Sequence, residues 1–412
     1  MNNTTRVPEV LLPKKGTDMQ KWAVVACDQF TSEPEYWEKL RAFVGDAPSA
    51  LNVIFPEVYL GMDNKPIIDR INATMDKYLS DGTLESAGKS FILVERKTRF
   101  VERRLGLMVM VDLEDYSFVR EDKALIRATE GTVISRIPPR VKIRENAPIE
   151  LPHIMLLIDD RKKEIIEDLY ANKDKYEKVY DFDLNMDGGH LRGWKVSDSE
   201  EVLKKLDRLI SREELMSKYG TADEAMLYAV GDGNHSLATA KACWNNIKDS
   251  LSEEERLVHP ARFALVEVEN IHDDGLAFEP IHRVVFNVGE DFLRGLDSVL
   301  GGDYSCSLML HGGKEETIKL PANAAEAVKT VQDYIDGYIG THEGAEVDYV
   351  HGADSLRSVV EAHPGSVGIT LPPLAKNDLF DYVLKKGALP RKTFSMGEAV
   401  EKRYYVEARK IK

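Results

Sequence analysis

Six consecutive residues, Gly231-Asp232-Gly233-Asn234-His235-Ser236, combine two permissive backbone positions with a carboxylate, an amide, an imidazole and a hydroxyl. An apolar run at 225–230 precedes them and a segment with helical spacing, 237–247, follows. A strand, a glycine turn and a helix in that order form a common place to bind an anion. The first-turn N–H groups have no partner inside the helix, and the helix dipole favours negative charge there. Gly231 and Gly233 allow positive φ and a close backbone approach to a ligand. Asp232, Asn234 and Ser236 could instead simply cap the helix, but a carboxylate and an imidazole in one turn exceed what capping needs. The turn lacks the Gly-Lys-Ser/Thr ending of a Walker A loop and is not Gly-x-Gly-x-x-Gly. Asp232 and His235 are therefore expected catalytic groups. Gly231, Gly233, Asn234 and Ser236 are expected phosphate ligands, and Asp232 is the expected holder of a Mg2+ ion reached through phosphate.

A bound phosphate also needs cations. Residues 127–144 carry Arg127, Arg136, Arg140, Lys142 and Arg144 around Glu130 and Thr132. Arginine forks match phosphate oxygens two at a time, and a glutamate at a strand end can act as general base toward a hydroxyl. Arg127, Thr132 and Arg140 are accordingly expected at the phosphate, and Glu130 as a catalytic carboxylate. Asp28 closes an apolar strand, a favoured site position in α/β proteins. His282 and Arg283 are adjacent in a strand and point to opposite faces, so one of the two would enter a site. A Zn2+ or Mn2+ centre built from Asp232, His235, His259 and His282 is disfavoured, because no pair has the short spacing of a helical metal motif.

The stretch from Gly231 to Lys241, with His259-Pro260-Ala261-Arg262 and Pro280-Ile281-His282-Arg283-Val284, resembles a large bacterial family known only as domain of unknown function 1015. Val7-Pro8-Glu9-Val10, Ala26-Cys27-Asp28-Gln29, Tyr349-Val350-His351-Gly352 and Arg391-Lys392-Thr393-Phe394 look like the same family, so the resemblance spans nearly the whole chain. The turn also resembles the Asp-Gly-His-His-Arg signature of the ParB/sulfiredoxin-like superfamily, whose members bind nucleotides or phosphates there and include kinases of free serine. The resemblance implies a nucleotide-dependent phosphotransferase acting on a small hydroxyl compound such as serine, with ATP or ADP and Mg2+ as cofactors. A phosphohydrolase acting on phosphoserine and a non-catalytic nucleotide or phospho-ligand sensor are the alternatives. The chain departs from the pattern in two places. Asn234-His235-Ser236 stands where His-His-Arg is usual, so the phosphate-holding cation must come from elsewhere. Ala128-Thr129-Glu130-Gly131-Thr132 lacks the histidine of a His-Glu-x-Thr pattern.

Many short elements must position these groups. Residues 21–27, 91–95, 105–113, 124–128, 152–158, 225–230, 261–269, 280–287, 366–371 and 403–408 read as strands. Residues 33–43, a segment from about 161, one capped by Ser197 or Ser199, 237–247 and 325–338 read as helices. Residues 181–194, polar and centred on Asp187-Gly188-Gly189-His190, read as a loop. Elements interleaved in this way predict an α/β to α+β fold of mixed sheets, with a central strand-turn-helix core in three parts, 1–137, 138–290 and 291–412. Hydrophobic residues at 43% and charged residues at 30% describe a globular chain. The net charge of −15 opposes a nucleic-acid or anionic-membrane surface. The expected partners are a small-molecule substrate and a nucleotide, with a homodimer left open. Three cysteines, Cys27, Cys243 and Cys306, exclude a disulfide framework and fit a reducing compartment. The first residues form no secretory apolar segment, so the cytoplasm is the expected location.

Overall fold

The computed structural model describes residues 3–61, 64–119 and 122–412. The chain forms two compact units, Met1–Leu276 together with Glu398–Lys412, and Ala277–Gly397. These divisions differ from the expected breaks at 137/138 and 290/291. Strands on either side of residue 137, Ile126–Ala128 and Met155–Ile158, belong to one sheet. Phe278–Phe286 is paired within the second unit. Hydrophobic periodicity reveals a strand but not its partner, so boundaries drawn from it were displaced.

The first unit is built on a mixed sheet of ten strands among the described residues. Its order is Glu177–Asp183, His190–Val196, Phe91–Lys97, Arg104–Asp112, Phe263–Asn270, Met155–Ile158, Tyr228–Asp232, Ile126–Ala128 and Tyr116–Ser117, with Thr5–Arg6 paired to Arg104–Asp112. Alternation along the strands divides the apolar side chains between two cores. Ile92, Val94, Met108 and Leu265 join Trp22 and Trp37 in one. Phe91, Leu93, Leu107 and Val266 join Leu237 and Trp244 in the other. With both faces covered, the central strand Phe263–Asn270 is buried throughout.

Two local expectations are corrected. Residues 181–194 are not a loop but the two sides of an antiparallel hairpin, with Asp187 in the left-handed region at its turn. Glycine and polar residues marked only the turn, while Tyr180 and Phe182, two residues apart, pack on one core. Residues 21–27 hold only the short strand Val24–Val25. The Asp18 carboxylate accepts from the amides of Gln20 and Lys21, which starts the helix Met19–Trp22.

The second unit carries its own six-stranded sheet among the described residues. Phe292 and Leu296 from Glu290–Asp297, and Val328, Val331 and Ile335 from Ala324–Ile339, pack with Val285 in one core. Leu356 and Val360 from Ala353–Ala362 meet Val284 in another. The whole is the mixed α/β class expected. Among the described residues no helix is long and apolar enough to cross a membrane.

Candidate active site

The strands Tyr228–Asp232 and Ile126–Ala128 run parallel in the register Val230↔Ala128, so the chain segments that follow them leave the same edge of the sheet. The first becomes the helix Asn234–Lys248 after a single residue, Gly233, whose φ is 75°. A Cβ at Gly233 would stand 2.8 Å from the Cα of Ile154 and 3.0 Å from the carbonyl oxygen of His153. Gly233 is therefore the position where glycine is required. Gly231, expected to need the same freedom, lies inside the strand. Gly233→Ala is expected to destabilise the fold by about 1–2 kcal/mol from the left-handed conformation alone, with more from displacing Ile154; chemical denaturation checks it.

The second segment clasps the turn. Thr129 Oγ1 donates to the carbonyl of Val230 at 2.6 Å. Asn234 Nδ2 donates to Thr132 Oγ1 at 2.8 Å, while its Oδ1 accepts from the Tyr116 hydroxyl, also at 2.8 Å. The amide of Val133 donates to His235 Nε2 at 3.3 Å. Asn234, expected at a phosphate, thus brackets the strand Tyr116–Ser117 and the loop that holds Thr132. That use accounts for an amide at this position. Glu130 sits half-buried within the clasping loop, between Thr129 and Thr132.

Two cations complete the neighbourhood, and sequence reasoning picked out neither. Lys402 Nζ lies 3.0 Å from Asp232 Oδ2, and Asp232 Oδ1 accepts from the Gly233 amide at 2.8 Å. Lys402 comes from Glu398–Lys412, the segment that returns to the first unit after the second is complete. His153 precedes the strand Met155–Ile158. Its Nε2 lies 3.2 Å from Asp28 Oδ2 and 3.3 Å from Ser236 Oγ, and its Nδ1 lies 2.7 Å from the Tyr405 hydroxyl. The only signal for His153 was one histidine at the head of an apolar run.

Burial opposes charge on His153, but the Asp28 carboxylate, helped by Asp232 and Glu57, lifts it above the ordinary imidazole value. Burial likewise opposes ionisation of Asp28, yet His153, the Gln29 amide and Lys402 hold its carboxyl far below the usual range. The stabilising contribution of Asp28 is present above about pH 4, the ordinary carboxyl value, and fades as pH falls. That of His153 is full below about pH 6.5 and fades as pH rises through its elevated folded value. Asp28→Asn is expected to lower the His153 titration midpoint, because burial then meets less opposition. An NMR titration of the imidazole reads this directly; an unmoved midpoint refutes the pairing.

A serine nucleophile activated by histidine needs its acid and its hydroxyl on different ring nitrogens. Here Asp28 and Ser236 share Nε2, so His153 is arranged to hold charge rather than to relay a proton from Ser236.

The remaining expected residues divide. Arg140, Ser236 and His153 line one cavity with Cys27 and Tyr405, and Arg140 Nε donates to Glu57 Oε1 at 2.8 Å. Arg127 is engaged with the carbonyls of Ala124 and Ala225 and with Glu224, so its guanidinium locks the start of its own strand. His282 and Arg283 belong to the second unit. There Arg283, fully buried, donates to Gln332 and to the carbonyls of Ile281, Arg391 and Lys392. His282 Nδ1 accepts from the Leu371 amide, and burial, then Arg283, push its pKa down to about 4. Both are committed to structure within that unit.

Three solved structures are similar over most of their length. A conserved hypothetical protein from Pyrococcus furiosus is 12% identical, with 73% of this chain and 90% of that chain covered and a TM-score of 0.36. A free serine kinase in complex with AMP is 11% identical, with 74% and 92% covered and a TM-score of 0.39. SbnI with a C-terminal truncation, from Staphylococcus aureus, is 11% identical, with 73% and 81% covered and a TM-score of 0.33. No curated protein matches the chain. Residues 11–390 match the family described as protein of unknown function (DUF1015), and the chain belongs to that family.

Proposed function

We propose that the first unit is a nucleotide-dependent phosphotransferase acting on a small hydroxyl substrate, with free serine as the first acceptor to test. One observation carries the reading: the ammonium of Lys402 stands 3.0 Å from Asp232 at the N-terminus of the helix Asn234–Lys248. A cation, first-turn amides and a carboxylate thereby converge where a phosphate is best held. Lys402 supplies the charge that the missing turn arginine would have carried.

The donor set fits the cofactors the motif implies. Phosphate oxygens of ATP or ADP would be held by the first-turn amides and Lys402. Mg2+ keeps several waters and takes one or two carboxylates beside phosphate, which suits Asp232; when bound it offsets charge on the transferring group. Glu130, on the loop fastened to the turn, orients the acceptor hydroxyl and receives its proton. Such transfer depends chiefly on positioning and charge stabilisation, so no dedicated nucleophile is needed.

Incubation with ATP or ADP and a panel of hydroxyl acceptors, following both nucleotide product and phosphorylated acceptor, tests the reading. Absence of nucleotide binding and of turnover across the panel would refute it. Lys402→Met is expected to weaken nucleotide binding by about 10- to 150-fold, the worth of one charge-assisted hydrogen bond; calorimetric titration measures it.

A ligand sensor is the second reading. It is favoured by the mutual neutralisation of Asp28 with His153 and of Asp232 with Lys402, which suits binding without turnover. A phosphohydrolase using His235 as phosphate acceptor is less favoured, because Nε2 of that ring already accepts from Val133. Phosphate released from phosphoserine without nucleotide would restore it.

A further inference from the structure

We propose that the acceptor of the phosphate-handling site is a hydroxyl compound with a compact apolar body, about the size of a six-membered carbon ring, seated in the cavity beside Ser236. This rests on the phosphotransferase reading and narrows its substrate class away from free serine.

The cavity holds about 150 Å³. Val53, Phe55, Met75, Ile149, Leu151 and Ile154 are among its apolar wall residues, and Ser236 and His153 border it. The charged groups that line it already have partners, His153 in Asp28 and the others in one another. Arg140 donates to Glu57, and Arg144 Nη2 donates to Glu150 Oε2. The Cys27 thiol, pushed up mainly by burial and then by Asp28, stays neutral and adds to the apolar lining. An apolar cavity of about 150 Å³ accepts a ligand of benzene size. Free serine has no apolar body to cover the apolar part of this wall.

Ser236 belongs both to the cavity border and to the turn that holds phosphate, so an apolar body in the cavity leaves its polar end at the turn. In the transfer, the acceptor oxygen bonds to the terminal phosphorus as the P–O bond to the nucleotide breaks. The departing nucleotide keeps that electron pair, and the hydroxyl proton passes to Glu130.

The test titrates the full chain with inorganic phosphate, phosphoserine, benzyl phosphate and AMP by calorimetry. Benzyl phosphate is expected to bind at least tenfold more tightly than inorganic phosphate or phosphoserine. Val53→Phe, or Ala147→Leu from another part of the wall, is expected to erase that advantage; the wild-type ranking stands as a readout should either variant fail to fold. Equal affinity for benzyl phosphate and inorganic phosphate overturns the acceptor assignment and leaves the phosphate site standing. Loss of AMP binding in the wall variants places the base in the cavity and also overturns it. Absence of binding by all four compounds removes the phosphotransferase reading, and this proposal with it.

Discussion

Glu130→Gln is expected to lower the rate of phosphoryl transfer by about 10²- to 10⁴-fold, the usual worth of a positioned general base. The amide keeps the shape of the side chain and its place between Thr129 and Thr132, whose bonds to Val230 and Asn234 fix the loop. Nucleotide affinity should move far less, because Glu130 faces the acceptor in this scheme. Asp232→Asn should behave differently. It removes the partner of Lys402 and the carboxylate available to Mg2+, so nucleotide binding and turnover should fall together. Steady-state kinetics paired with calorimetric titration separate the two patterns. Equal effects of both variants on binding alone would assign both carboxylates to ligand holding and favour a sensor.

Arg403→Met is expected to destabilise the first unit by about 3–5 kcal/mol, the cost of removing one partner from a buried ion cluster. Arg403 is 4% exposed. It donates to the carboxylates of Glu267 and Glu407, and its Nε donates to the carbonyl of Pro152 at 3.2 Å. Tyr180 also donates to Glu407. Burial alone would lower the affinity of Arg403 for its proton, but Glu267 and Glu407 reverse that and hold it charged. Without the guanidinium, two buried carboxylates remain with no cation between them. Adding Glu267→Gln and Glu407→Gln to Arg403→Met should therefore recover much of the loss, a non-additivity that denaturant unfolding resolves. Because Lys402 is the next residue, Arg403→Met should weaken nucleotide binding as well.

The local backbone of the candidate site was legible. The apolar run before Gly231 and the helical spacing after Ser236 lead to the observed strand Tyr228–Asp232 and helix Asn234–Lys248, with Gly233 at the junction. The amide of Asn234 in the turn was visible too, although its use was not. Only the fold brings Tyr116 and Thr132 to its two ends. The surroundings of the cations were hidden for a physical reason. Residues 127–144 show where basic charge is dense but not what neutralises it, and Arg127, Arg140 and Arg144 have Glu224, Glu57 and Glu150 as partners. Lys402 lies far along the chain from the turn it serves, and no periodicity encodes such a partner. The hairpin Glu177–Asp183 and His190–Val196 was hidden in the same way, since its turn outweighed the alternation of its sides.

The return of Glu398–Lys412 to the first unit ties chemistry to the order of synthesis. A ribosome must finish every residue of Ala277–Gly397 before the lysine that faces Asp232 emerges. Contacts between such remote parts of a chain form late, because the intervening loop must first be closed. A nascent polypeptide halted just before Glu398 would contain one whole unit and another with neither Lys402 nor Arg403. The proposed phosphate handling would then begin only in molecules in which Glu398–Lys412 had been made and had docked.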